Sequence, residues 1–172
     1  MSKNKRVIER LETETARAIA HEWRCIRKAL FPEWEGFADW RLALADFGRS
    51  SFMAFVDIAA KTVFLREPGR LPDFAYVHIL CHAVTESENH SRRWYEQMIA
   101  TAQKLRSMGR EPSALMVESN AQHEVGTPGG SPDLIDWARP VLEIRMDGDA
   151  PDGEVSLVPF MRQGSARRKG AA

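Results

Sequence analysis

The sequence predicts an α+β fold, and three patterns carry that prediction. They are an uninterrupted helical stripe at the N-terminus, a set of short β-rich runs after it, and a helical segment bearing histidines beyond those. From Lys3 to Leu30 the residues Val7, Leu11, Ala18, Ile19, Trp23, Ile26 and Leu30 recur at steps of three and four, with no Gly or Pro among them. This spacing predicts one long amphipathic helix that Pro32 ends. Trp40 to Phe47 alternates and places Trp40, Leu42 and Leu44 on one face of a strand. Gly48 breaks the run; Phe52 to Ile58 and Thr62 to Arg66 then read as two further strands joined through Ala59, Ala60 and Lys61. Close succession predicts a small antiparallel sheet of about three strands in a meander.

Pro68, Gly69 and Pro72 separate this sheet from a second helix, expected from Phe74 to about Glu86, with Phe74, Val77, Cys81 and Val84 as its apolar stripe. Ser91 is placed to cap a third helix through Trp94, Met98, Ile99, Ala102 and Leu105, and Gly109 to end it. A short helix is expected from Ser113 to Ala121. The region from Gly126 to Gly153 is rich in Gly, Pro, Ser and Asp, and Gly164 to Ala172 is small or basic, so both read as mobile tail. No internal repeat is evident.

With 172 residues, 44% of them apolar, the chain can bury one core of ordinary size. No run approaches the roughly 20 apolar residues of a membrane span, and Met1 to Arg10 lacks the apolar core of a secretory signal. A soluble, cytoplasmic protein without membrane contact is the expectation. Cys25 and Cys81 stand far apart, make no C-x-x-C pair, and are expected as reduced, buried thiols. The 24 basic and 24 acidic residues balance overall but are unevenly spread. Met1 to Phe31 carries eight Lys/Arg against four Asp/Glu, and Arg162 to Lys169 adds four bases, whereas Glu111 to Glu154 holds ten acids against two bases. Basic ends of this kind fit either contact with DNA or an ordinary solvated surface.

The segment H-I-L-C-H-A-V-T-E-S-E-N-H, from His78 to His90, is where chemistry concentrates. Positions four apart on a helix stand one above the other, so His78 and His82 can aim their rings at one point about 2.0 to 2.1 Å from each nitrogen. His90 can supply a third ligand after a turn at Ser87 to Asn89, leaving a fourth position open, as catalytic zinc requires. Two histidines at this spacing also occur as a merely hydrogen-bonded helix face. Glu86, four residues past His82, is read as a substitute ligand, as a partner fixing an imidazole, or as an exposed helix end. Glu88 is a weaker candidate for a base. His21 and His123 have no partner at metal spacing, Trp94, Met98 and Leu105 read as core, and no nucleophile-elbow pattern is present.

From Val7 to Gly109 the chain resembles the SprT-like metallopeptidases, relatives of the Spartan protease. The match lies in His78, His82, His90 and Trp94, and in the hairpin F-M-A-F-V-D-I-A-A-K-T-V-F-L from Phe52 to Leu65. The resemblance implies a zincin-like minimal metallopeptidase fold, placed over residues 1–122, with 123–172 left by its composition as a flexible tail. It implies Zn2+ on His78, His82 and His90, a protein or peptide substrate or ligand, and zinc-assisted hydrolysis of the peptide bond. One departure is decisive for activity: Ile79 stands where the family carries its general-base glutamate. General acid–base catalysis typically contributes roughly 100- to 10,000-fold, so hydrolysis is expected to be impaired, with no confident catalytic residue. The other reading is a pseudoenzyme, a non-catalytic protein- or DNA-binding module that retains the fold.

Overall fold

In a computed structural model the described residues are 3–47, 52–66, 71–129, 139–145 and 157–158. Helix α1 spans Lys3–Leu30, a single 3-10 turn follows at Glu35–Asp39, and strands β1 (Arg41–Asp46), β2 (Ala54–Asp57) and β3 (Thr62–Arg66) come next. Helices α2 (Asp73–Thr85), α3 (Arg92–Ser107) and α4 (Glu111–Glu124) precede two further strands, β4 (Arg139–Arg145) and β5 (Leu157–Val158). The chain is thus α+β. None of its described helices is long and apolar enough to cross a membrane.

The sheet order is β2-β3-β1-β4-β5, which corrects the expected meander. β2 and β3 form an antiparallel hairpin, but β3 then lies parallel to β1, with Leu42 opposite Val63 and Leu44 opposite Leu65. The physical reason is burial. Thr62 to Leu65 are buried without alternation, the pattern of a strand covered on both faces, whereas β2 is only partly covered and takes the edge. The segment assigned to a tail also contributes: β4 pairs antiparallel with β1, so the fold does not stop at residue 122.

One face of the sheet joins the helices in the main core. Leu42, Leu44, Val63 and Leu65 meet Ile19, Trp23, Tyr76, Leu80, Trp94 and Met98 there. The other face carries Ala43, Ala45, Phe47, Phe55 and Phe64, with Phe55 stacked on Phe64 at 4.6 Å. Trp23 packs edge-on against Tyr76 at 5.2 Å, and the Tyr76 hydroxyl donates to Glu22 on α1 (2.9 Å). This fixes α2 beneath α1. The Lys104 ammonium of α3 donates to the last carbonyl of α1, Leu30 O, at 2.8 Å. At the start of α4, Arg110 and Ser113 both bond Asp73, tying α4 to the first turn of α2. The expected stop at Gly109 is realised with φ of 75°, and Ser91 caps α3 by accepting from Trp94 N.

Helix α2 ends where expected, at about Glu86. Its last residue is Thr85, and Glu86 adopts a left-handed conformation, φ 49° and ψ 42°. Glu86 N donates to Ala83 O and Ser87 N reaches back to His82 O, the paired bonds that usually close a helix on glycine. A side chain in this conformation costs about 1 kcal/mol. Glu86→Gly is therefore expected to stabilise the protein and raise Tm by roughly 2–4 °C; a lower Tm in a thermal melt would contradict this account of the turn.

Candidate metal centre

Helix α2 carries His78 and His82 on one face, the turn after it returns His90, and Trp94 in the first turn of α3 backs all three rings. Trp94 is fully buried, with its ring 5.0, 5.3 and 4.5 Å from those of His78, His82 and His90. Its indole N–H donates to His78 O (3.4 Å). The Nε2 atom of His78 lies 3.2 Å from Nε2 of His82 and 3.2 Å from Nε2 of His90. These three residues can hold a metal ion. A tetrahedral ion at about 2.0–2.1 Å from each nitrogen sets its ligands about 3.3 Å apart, so the observed spacing fits.

The opposite ring nitrogens decide how this convergence is to be read. His82 Nδ1 lies 2.6 Å from Ser87 O, a carbonyl that can only accept, so Nδ1 carries the proton. His90 Nδ1 lies 2.8 Å from the Thr127 hydroxyl, which spends its own hydrogen on Glu124 O at 2.7 Å and therefore accepts from the imidazole. His78 Nδ1 donates to Asn120 Oδ1 at 2.7 Å. With all three protons on Nδ1, three bare lone pairs face one another. Such an arrangement repels unless a cation lies among them, and it is the arrangement a metal-binding histidine set adopts.

Electrostatics agree. Burial lowers the pKa of His82 to about 3, helped by the neighbouring His78, while the bond to Ser87 acts the other way. Burial also lowers His78 against the opposing Asn120 bond, and lowers His90 against the opposing Glu124 carboxylate. The three rings are neutral near pH 7, the form that binds metal.

The rings open onto a cavity of about 440 Å³ lined by β2 residues Ala54 and Val56, by Ile79 and by Glu88 and Glu124. Ile79 is buried at its wall, so an apolar side chain occupies the position next to His78. Glu86 is not part of the site: the helix that was to carry it to the histidine face has already ended, and it is exposed. His21 and His123 are exposed and lie outside the cluster. Cys81 is a buried thiol, as expected, with its pKa raised by burial; Cys25 is exposed, which corrects its expected burial. The residues that sequence reading missed are Asn120, Glu124 and Thr127. The signal available for them was Gly126 and Gly129, two glycines within a stretch whose composition read as tail. Comparison with protein-family models, with curated proteins and with solved structures returns no match to this chain.

The depressed histidine pKa values fix the sign of a pH effect on the metal-free protein. The unfolded chain binds protons on these rings near pH 6.5, where the folded chain still excludes them, so protonation favours unfolding. Stability is therefore expected to be full above about pH 6.5 and to fall as pH drops toward 3, the folded value for His82. Chelator-treated protein followed by thermal melts from pH 8 to 4 checks this; Tm independent of pH across that window would refute buried neutral rings.

Proposed function

We propose that the chain is a zinc-binding protein of the SprT-like, zincin-like metallopeptidase fold, in which peptide binding outlasts efficient hydrolysis. The observation that carries this reading is the set of three Nε2 atoms turned toward one point by fixed protons on Nδ1. Zinc suits a donor set of three neutral imidazoles with an open fourth side. The order of elements supports the family assignment: a long helix, a small sheet, the helix with His78 and His82, then a turn bearing His90 and Trp94.

The cavity supports a peptide as the ligand. Strand β2 pairs only with β3 among the described strands, and its residues line the cavity beside His78 and His82. An extended peptide added along that edge would hydrogen-bond to the β2 backbone and pass the metal side. Bound zinc would supply Lewis-acid polarisation of a peptide carbonyl and acidify a water molecule. The chain's own deficit is at Ile79, which can neither take a proton nor return one to a leaving amine. Ile79 is also the observation that favours the second reading, a pseudoenzyme that binds protein or DNA without turnover.

Elemental mass spectrometry is expected to find about one zinc per chain, lost in a His78→Ala, His82→Ala double variant. Metal-free protein in both preparations would sink the proposal. Ile79→Glu is then expected to raise peptide cleavage by about 100- to 10,000-fold, in a chelator-sensitive manner. Zinc retained with no gain in cleavage would turn the assignment to the non-catalytic module.

A further inference from the structure

Of the three imidazoles, only His82 is fixed by its own neighbourhood, through the carbonyl of Ser87 five residues on. The other two are fixed from far along the chain. Asn120, 42 residues after His78, and Thr127, 37 residues after His90, both come from the end of α4 and the turn that leaves it. The same turn holds the backbone of the ligand loop. Gly126 N donates to His90 O at 2.8 Å and His90 N donates to Thr127 O at 3.3 Å, a reciprocal pair that seats His90. Gly129 N donates to Asn89 Oδ1 at 3.1 Å.

Two glycines make this approach possible. Gly126 has φ of 81°, which side-chain-bearing residues rarely adopt. A Cβ on Gly129 would stand 1.5 Å from Glu88 O, so the backbone passes closer to the ligand loop than any other residue allows. The contact is therefore specified by sequence as well as by hydrogen bonding.

We propose that Asn120–Gly129 is a clamp belonging to the metal centre, with Asn120 and Thr127 as positioning residues that fix the tautomer and aim of His78 and His90. The inference deepens the zinc reading above and rests on it for its effect on affinity. A clamp that holds the ligand nitrogens in register lowers the ordering cost of binding, and by reciprocity bound metal holds the clamp closed. Loss of a partner that orients a ligating histidine typically weakens metal binding about 10- to 100-fold.

The test uses the full chain with Thr127→Val and Asn120→Leu, which remove the acceptors, and with Thr127→Ser and Asn120→Asp, which retain them. Zinc affinity is read by competition with a chromophoric chelator. The histidine tautomers of the metal-free protein are read by nitrogen-15 NMR, with circular dichroism confirming that each variant is folded. Expected are affinities about 10- to 100-fold weaker in the Val and Leu variants, recovery in the Ser and Asp variants, and loss of the Nδ1–H form at His90 and His78 respectively. Gly129→Ala, which touches no imidazole, is expected to weaken zinc as well. Folded Val and Leu variants that bind zinc as the unaltered protein does would overturn the clamp. Tautomers fixed by Asn120 and Thr127 in a chain that binds no zinc would instead uphold the positioning and sink the zinc reading alone.

Discussion

Three imidazole lone pairs turned toward one point, with those of His82 and His90 each 3.2 Å from that of His78, are an unfavourable arrangement in themselves, and the fold maintains it by occupying the other nitrogen of each ring. A free imidazole would move its proton to the crowded side and convert repulsion into a hydrogen bond. A carbonyl at Ser87, a committed hydroxyl at Thr127 and the amide oxygen of Asn120 remove that option. Each is an acceptor facing Nδ1, and together they determine which face of each ring is left for a cation. The end of α2, the start of α3 and the end of α4 all have to be where they are for these bonds to form.

That requirement explains why the polar cluster sits inside the core rather than on it. Helix α2 is covered on most sides, by Trp23 of α1 against Tyr76, by Trp94 and Met98 of α3, and by the sheet. Burial on this scale makes protonated histidine costly, which is the cause of the depressed pKa values. It also makes any unpaired ring nitrogen costly. Apolar packing thus does two things at once: it keeps the imidazoles neutral, and it penalises arrangements in which the three Nδ1–H groups lose their acceptors.

What was legible in the sequence was local. The stripe from Ile19 to Leu30, the cap at Ser91, the stop at Gly109 and the shared face of His78 and His82 follow from helical spacing and turn chemistry within a few residues. The parallel pairing of β1 with β3 was not read, although V-F-L in β3 lacks the alternation of an edge strand and marks a central one. The end of α2 near Glu86 was legible, but the left-handed turn there was not, because glutamate gives no warning of one. Asn120 and Thr127 were invisible for a different reason: contacts spanning 42 and 37 residues leave no periodic trace. Gly126 and Gly129 did leave one, but glycine for close backbone approach and glycine for flexibility look the same in composition.

Ile79 stands beside His78 but apart from the bonds that aim the imidazoles. The cage depends on acceptors behind the rings, and Ile79 touches none of those bonds; its side chain is part of the cavity wall. An apolar residue there adds no charge, so three neutral imidazoles would pass the whole charge of any bound divalent ion to whatever occupied the fourth side. Glu124, whose carboxylate lies 3.9 Å from His90 Nδ1, belongs to the lining of the same cavity. Its pull on His90 and His78 favours positive charge at the centre.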